Sequence, residues 1–385
     1  MKIKNTAYFY LTFFILALLL SIKLNAQEVQ FSGFTRLVTG ASINDKTPYE
    51  EHHGDFSFKP DSLIGLQLDV PINKTFSATA QILGTRDKHK NSGLEWLYLS
   101  YTPNASTNIK LGQLRTSFFT YSDVLDVGFA YHWIKPPEEV YASFFFSHFD
   151  GINLQHHIVN KTFTTKIEAF YGKFNDEVSF SDQTFTPDVE NFTGLVLTTE
   201  FNALSIRAAY SQANVSIKDD NLMPLITTLH QLNQSTAAQA LLIDDKMKYY
   251  QLSINYDAFD YFIKTEWLSL KHDLHLIGEG TSYYISTGYQ LNDYTFHLTY
   301  ADRDDNFSRK LPSLSLPSTP SLKPLISTYN GIQAELIEAD QNSWSLGVRW
   351  DLKSDLALKA ELKRTHYSFT HNNVNVLMLA LDWVF

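Results

Sequence analysis

The sequence contains no cysteine among its 385 residues. This absence excludes disulfide bonds, a catalytic thiol and a metal site built from thiolates. It also excludes the small secreted proteins that depend on disulfide bonds for their stability. The chain must therefore be held together by packing, hydrogen bonds and charges alone.

Beyond residue 26 the sequence also lacks an apolar run long enough for a transmembrane helix, which needs about 20 residues. The first 26 residues contain a basic start, an apolar run at 7–20 and a small residue, Ala26. This order is typical of a secretory signal peptide, so we expect residues 1–26 to be cleaved. A membrane anchor is disfavoured because the run is short and a polar segment follows it.

Basic residues are too few to balance the acidic ones. The 31 Lys and Arg residues are outnumbered by 41 Asp and Glu, so that the formal net charge is −10 at pH 7. A nucleic-acid partner normally requires a basic surface, and we therefore predict none. Aromatic residues, in contrast, are abundant, with 28 Phe and 21 Tyr.

Apolar and polar residues alternate along most of residues 27–385. In Leu63–Val70 the even-numbered positions are apolar, and in the final segment Leu377, Leu379 and Leu381 share one face. Each such segment predicts a β-strand with one apolar and one polar face. We count about 16 of them, within the range of bacterial membrane barrels. In 94–101 and 108–115 both faces carry bulky residues, and the phase is ambiguous.

The predicted connections alternate between long and short. Long links fall near 44–60, 84–93, 116–150, 174–190, 218–246, 271–280, 302–341 and 367–373. Transmembrane barrels have long external loops and short periplasmic turns. The predicted fold class is therefore all-β, a transmembrane antiparallel β-barrel formed by residues 27–385. A soluble β-sandwich would also show alternation, but it would not separate long from short connections or place aromatic residues near strand ends.

The third long connection, 116–150, is the one that we expect to fold inward and narrow the barrel. Pro136 and Pro137 prevent a strand there. The acidic residues assigned to this constriction are Asp123, Asp126, Glu138, Glu139 and Asp150, and the basic residues assigned to the wall are Arg36, Arg115, Arg207, Lys264, Arg349, Lys359 and Lys363. Loop acids facing wall bases would create a transverse field. They could equally be solvated charges of a polar lumen, and inward acids such as Glu168, Glu266 and Glu361 prevent a prediction of ion preference.

Residues 111–141, LGQLRTSFFTYSDVLDVGFAYHWIKPPEEVY, resemble the strand and third loop of bacterial outer-membrane porins. Phe385, with apolar residues at every second position before it, resembles the C-terminal recognition signal of Gram-negative outer-membrane barrels. The Pro-Glu-Phe-Gly-Gly motif of enterobacterial general porins is absent. The resemblance implies a homotrimer in the lipid bilayer of the outer membrane, with water-filled channels for small hydrophilic solutes and ions.

Two alternatives stay open at this point. One is a substrate-specific channel for anions or sugars. The other is an outer-membrane barrel enzyme, a lipase or protease, although the sequence has no nucleophile-elbow motif. We predict no enzymatic activity and no catalytic residue. Residues at 222, 225, 226, 229 and 232 have the spacing of an amphipathic helix, and the proline-rich segment 311–325 is expected to be extended.

Histidine pairs are the remaining candidates for a metal site. His52 with His53, His156 with His157, and His272 with His275 each offer two ligands. None of the pairs has a complete ligand set. We therefore predict no metal site and no other cofactor.

Overall fold

A computed structural model describes residues 28–43, 57–87, 90, 92–142, 146–180, 183–307, 309–335, 340–368 and 370–385. The predicted signal peptide, residues 1–26, and the pair His52 and His53 lie outside the described residues. Within those ranges, no helix is both long and apolar enough to cross a membrane.

The described residues form eighteen strands: β1 (Gln30–Ser42), β2 (Leu63–Pro71), β3 (Phe76–Thr85), β4 (Gly93–Asn104), β5 (Thr107–Arg115), β6 (His148–Val159), β7 (Thr164–Phe174), β8 (Val178–Phe180), β9 (Gln183–Phe185), β10 (Asp188–Phe201), β11 (Leu204–Ile217), β12 (Ile243–Asp257), β13 (Tyr261–Lys271), β14 (Glu279–Leu291), β15 (Tyr294–Asn306), β16 (Gln341–Lys353), β17 (Leu356–Tyr367) and β18 (Asn372–Val384). Sixteen of them close into an antiparallel barrel, in which β1 pairs with β18, while β8 and β9 form a separate hairpin. The predicted fold class and strand number are confirmed. The lengths of the connections alternate as expected.

The two faces of the barrel wall have opposite character. In β16, Trp344 and Leu346 are exposed. The serines that alternate with them, Ser343 and Ser345, are buried. Apolar residues are thus exposed and polar residues are buried, the reverse of a soluble protein. The closed barrel excludes a β-sandwich, and its apolar outer face fits lipid.

The helices lie in the connections between strands. They are α1 (Glu138–Tyr141), α2 (Met223–Gln231), α3 (Ser235–Ala240) and α4 (Lys323–Glu335). Helix α2 corresponds to the helix predicted from the spacing at 222–232. The expectation of an extended segment at 311–325 is wrong for its last residues, because α4 begins at Lys323. Pro324 fits in the first turn, where the backbone N–H has no partner within the helix.

Helices α2, α3 and α4 join two long loops into one packed unit. Leu229 of α2, Ala238 of α3 and Tyr329 of α4 belong to one buried apolar cluster. The Tyr329 hydroxyl donates a hydrogen bond of 2.8 Å to the Pro312 carbonyl. Residues 218–242 and the described segment 309–335 therefore pack on each other rather than extending separately into solvent.

One irregularity interrupts the barrel at the start of β4. Gln81 pairs with Trp96, but its neighbour Ile82 pairs with Leu94, which leaves Glu95 as the extra residue of a β-bulge. Leu94 and Leu97 are both exposed on the apolar face. Two residues rather than one therefore lie between consecutive outward positions. This bulge is the reason that the alternation at 94–101 is ambiguous in the sequence.

A matched pair of arginine substitutions tests which face meets lipid. Leu252 is exposed on β12 and lies between the exposed Tyr250 and Tyr256. We expect Leu252→Arg to lower the free energy of unfolding by about 2–4 kcal/mol, since a charge on the lipid face is costly. Gln67→Arg should cost much less, because residue 67 lies on the polar face beside Asp69. Urea unfolding in phospholipid vesicles measures both, and equal losses would contradict the assignment of the faces.

Candidate functional site

The connection between β5 and β6, residues 116–147, is called the β5–β6 loop below. It contains two short 3₁₀ helices, at Ser122–Val124 and Gly128–Ala130, and helix α1 directly after Pro137. The predicted limits, 116–150, are corrected at one end, because β6 begins at His148. The expectation that the prolines would prevent a strand here is met.

Aromatic side chains pack the beginning and end of this loop against the barrel wall. The Phe118 ring lies 5.5 Å from that of Phe192 in β10 and 5.2 Å from that of Tyr249 in β12. Phe146 stacks on Phe174 of β7 at 4.9 Å. These residues belong to the largest buried apolar cluster of the described residues. The loop is therefore anchored by its own core.

The middle of the loop binds the polar faces of β14 and β15, which come much later in the chain. The Trp133 indole donates to the Thr299 hydroxyl of β15 at 2.9 Å, and the ring of His132 is hydrogen-bonded to Ser286 of β14 at 3.0 Å. Both hydroxyls are buried, and both alternate with exposed apolar residues of their strands. Burial, followed by nearby positive charges, lowers the pKa of His132 well below its ordinary value, so the ring is neutral.

Four of the predicted wall cations donate to backbone carbonyls of the loop rather than to its acids. The bonds are Lys359 to Gly128 and Trp133 (both 2.7 Å), Arg349 to Phe129 (2.6 Å) and Tyr131 (2.9 Å), Arg207 to Ser117 (2.6 Å) and Phe118 (3.3 Å), and Arg36 to Ile134. A buried carbonyl without a partner is costly, and these side chains satisfy seven of them. The expected apposition of loop acids and wall bases therefore does not describe these four residues.

The acid that balances two of these cations, Asp382, is not among the residues predicted from the sequence. Asp382 of β18 is fully buried, 2.8 Å from Lys359 Nζ and 3.6 Å from Arg36 Nε. A side chain at Gly128 would collide with this carboxylate, since an added Cβ would lie 2.0 Å from Asp382 Oδ1. The available signal was an acid at a polar-phase position between Leu381 and Trp383.

Acids of the wall complement the cations by accepting from the loop. Glu266 of β13 accepts from the Thr120 backbone N–H at 2.8 Å and from the Tyr141 hydroxyl at 2.7 Å. Glu361 of β17 accepts from the Ile134 N–H at 3.2 Å. The alternation in the sequence predicts that both acids face inward. The wall thus supplies acceptors as well as donors for the loop.

Of the predicted constriction acids, three do meet predicted wall bases. Asp126 forms ion pairs with Arg115 and with Lys90 of the β3–β4 connection. Glu138 and Glu139 lie 3.4 and 3.9 Å from Lys363 of β17. These contacts match the expected arrangement. Lys90 was not anticipated.

The other predicted residues lie apart from these pairs. Asp123 is exposed and has no ion-pair partner among the described residues. Lys264 lies 3.3 Å from Asp257 at the far end of β12. Asp150 is in β6, on the exposed face that it shares with Ile152. Its assignment to the constriction is wrong, because the strand already begins at residue 148 and its alternation turns Asp150 outward.

Two cavities flank the β5–β6 loop, and Arg115 lines both. The larger, about 350 Å³, lies between the loop and the first strands, and its charged lining residues are Arg36, Asp61, Asp87, Lys90, Arg115, Asp126, Lys135 and Glu138. The smaller is a recess of about 20 Å³ on the polar face of β4–β7. Glu95, displaced by the bulge, lies between them, 3.2 Å from Arg115. Within the described ranges, no group of three His, Asp or Glu residues is placed to hold a metal ion.

A closed barrel of sixteen antiparallel strands is the fold of the outer-membrane porins. No protein-family model and no curated protein matches the sequence significantly.

Solved structures are similar in fold at low sequence identity. The outer-membrane channel DcaP of Acinetobacter baumannii has a TM-score of 0.58 and 11% identity, over 93% of this chain and 97% of that one. The anion-selective porin from Comamonas acidovorans has a TM-score of 0.56 and 12% identity, over 93% and 99%. The trimer form of OmpT, an outer-membrane protein of Vibrio cholerae, has a TM-score of 0.53 and 11% identity, over 93% and 99%.

Protonation of Asp126 is expected to destabilise the protein. Burial alone would raise the pKa of this carboxyl, but Arg115 and Lys90 outweigh it and lower the pKa to about 2. A carboxyl of lowered pKa stabilises the folded state above its unfolded pKa and loses that contribution as the pH falls through the folded value. Between pH of about 5 and 2, the free energy of unfolding should therefore fall, with about 2 kcal/mol of the loss due to Asp126.

Urea unfolding at both pH values, followed by tryptophan fluorescence, measures this effect. Asp126→Asn should lack its share of the pH-dependent loss, and Asp150→Asn, on the outer face, should retain it. An identical loss in the wild type and in Asp126→Asn would contradict the assignment.

Proposed function

We propose that the protein is a porin of the Gram-negative outer membrane, through which small hydrophilic solutes and ions diffuse passively. One observation carries the proposal: the β5–β6 loop binds polar faces of strands from β1 to β18 around the closed barrel. A single segment can reach all of them only from the inside. A barrel of this size is too wide for wall side chains to fill, so the rest of its lumen holds water.

The charges on the loop and wall support a passage on one side of the barrel. Along β13–β17, the loop is joined to the wall by the bonds of Lys359, Arg349, Glu266 and Glu361. Along β2–β6, it is separated from the wall by the two cavities. We therefore place the narrowest point at Arg115, where the side chain contacts both Glu95 and Asp126.

An outer-membrane enzyme is the rival class, and the described residues favour the channel. Among the described residues, a serine and a histidine are hydrogen-bonded at Ser286 and His132, and this pair is buried under the loop. In a catalytic triad, a carboxylate must orient the histidine and the serine must reach substrate. Neither condition is met at this pair. Assays of the refolded protein for phospholipase and peptidase activity should show no turnover.

The outer face supports assembly into a homotrimer. Exposed aromatic residues gather on β11–β18: Tyr210, Tyr250, Tyr256, Tyr261, Trp267, Tyr283, Tyr289, Tyr294, Phe296, Trp344, Trp350 and Trp383. On β2–β6, Tyr101 is the one exposed aromatic residue among the described positions, and the other exposed large apolar residues there are aliphatic. Tyr and Trp favour the lipid interface, so a wall almost without them is suited to contact another subunit. We call the outer face of β2–β6 the aliphatic sector.

Planar-bilayer recordings test the channel and its charges. The wild type should conduct in KCl, and Asp123→Asn should shift the reversal potential in a salt gradient toward lower cation preference, because an exposed acid is removed from the passage. Asp123→Asn combined with Asp126→Asn should shift it further. Asp150→Asn is the matched control and should change nothing. A silent wild type would overturn the channel, and an unchanged reversal potential would overturn the role of Asp123.

A second pair of substitutions tests the aliphatic sector. Leu111 on β5 is 59% exposed, as is Leu346 on β16. Leu111→Arg should reduce the assembly to monomers in detergent, measured by light scattering, because it places a charge between subunits. Leu346→Arg should leave the molar mass unchanged. Equal behaviour of the two variants would contradict assembly through this sector.

A further inference from the structure

The smaller recess has features that the constriction does not use. It is lined on β4 by Trp96 and Tyr98, on β5 by Lys110 and on β6 by Asn153. The two rings lie 6.1 Å apart with their planes inclined at 35°. Lys110 Nζ lies 5.0 Å from the centre of the Tyr98 ring. Two aromatic rings thus lie beside a cation in this recess.

The β-bulge places two consecutive residues, Glu95 and Trp96, on this face. Leu97 and Leu99 are exposed on the outer face, so Tyr98 between them faces inward. Regular alternation from Leu97 would place Trp96 inward, residue 95 outward and residue 94 inward. Leu94 is nevertheless exposed, because Glu95 is an extra residue that does not turn outward. The bulge therefore lets Glu95 and Trp96 face inward together. Bulges commonly redirect side chains at functional sites.

Two polar atoms at the recess lack hydrogen-bond partners among the described residues: Trp96 Nε1 and Asn153 Oδ1. Asn153 is only 4% exposed, and its Nδ2 donates to Glu168 at 2.8 Å, which fixes the amide. Each atom complements a hydroxyl group, since an indole N–H can donate to a hydroxyl oxygen and an amide oxygen can accept from a hydroxyl. A buried polar group without a partner is unfavourable, so such a hydroxyl would bind favourably.

The charge and size of the recess restrict its ligand further. Two cations, Lys110 and Arg115, and two acids, Asp123 and Glu168, line it, so neither ionic sign is favoured. About 20 Å³ is room for one hydroxyl group and not for a ring. The rest of the ligand must stay in the lumen, where the aromatic side chains offer an apolar surface to C–H groups. Neutral molecules that combine C–H faces with hydroxyl groups are saccharides.

We propose that the lumen wall formed by Trp96, Tyr98, Lys110 and Asn153 binds a neutral saccharide, with its ring on Trp96 and one hydroxyl in the recess. The proposal rests on the proposed channel function and selects sugars among its solutes. Saccharides then pass the constriction by way of this site, on the side of the loop where the cavities lie.

Ion-current recordings with the full-length mature protein provide the first test. Maltose and sucrose should reduce the KCl current in a saturable manner, whereas gluconate should not. Trp96→Ala should raise the half-blocking concentration about tenfold, the effect expected for loss of one stacking contact and its hydrogen bond. Trp96→Phe should retain part of the affinity, and Asn153→Ala should weaken it. Trp344→Ala, on the outer face, is the matched control and should leave the block unchanged.

Calorimetric titration of maltose into the detergent-solubilised protein gives a second readout that does not depend on conductance. If maltose binds and Trp96→Phe weakens binding while the protein conducts no ions, the saccharide site is supported and the proposed channel fails. If the protein conducts but neither disaccharide blocks or binds, the site is overturned and the channel stands. Gluconate binding as tightly as maltose would overturn the preference for a neutral ligand.

Discussion

The structure depends on one constraint: a loop inside a barrel has no neighbouring strand to satisfy its backbone, yet it lies where unpaired N–H and C=O groups are costly. Charged side chains of the wall take the place of a strand. Lys359 and Arg349 each bind two loop carbonyls, while Glu266 and Glu361 accept loop N–H groups. The loop thus receives from side chains the hydrogen bonds that a strand receives from its neighbour.

The interior of the barrel therefore has two regions, in which the wall meets the loop in different ways. Where the wall provides charges for the loop backbone, the two surfaces are in direct contact. Where the wall runs through β2–β6, the loop presents acids instead, and Asp126 meets Arg115 between two cavities. Inward-facing charged side chains that cannot be told apart in the sequence thus have two different roles. Those at Arg207, Arg349 and Lys359 hold the loop, Arg36 holds the loop and also lines the larger cavity, and those near Arg115 face the proposed passage.

The barrel was largely predictable, because a strand between lipid and water must alternate with a period of two, and this period is visible in the residues themselves. The same rule failed where it was locally broken. Glu95 and Trp96 were missed because a bulge shifts the phase, and Asp150 was misassigned because the end of the loop was placed three residues too late. Asp382 was overlooked as one acid in an apolar final strand, although its phase already indicated the polar face.

The sequence by itself determined the strands, most of their faces and the alternation of long and short connections, since all of these follow from local patterns of polarity, and the prolines excluded a strand from the β5–β6 loop. Only the tertiary structure decided which wall charges bind the loop backbone, which line the two cavities, and which aromatic rings lie beside them. Those pairings join residues as far apart as Gly128 and Lys359. They depend on barrel closure and strand register, which set distances that no short stretch of sequence contains.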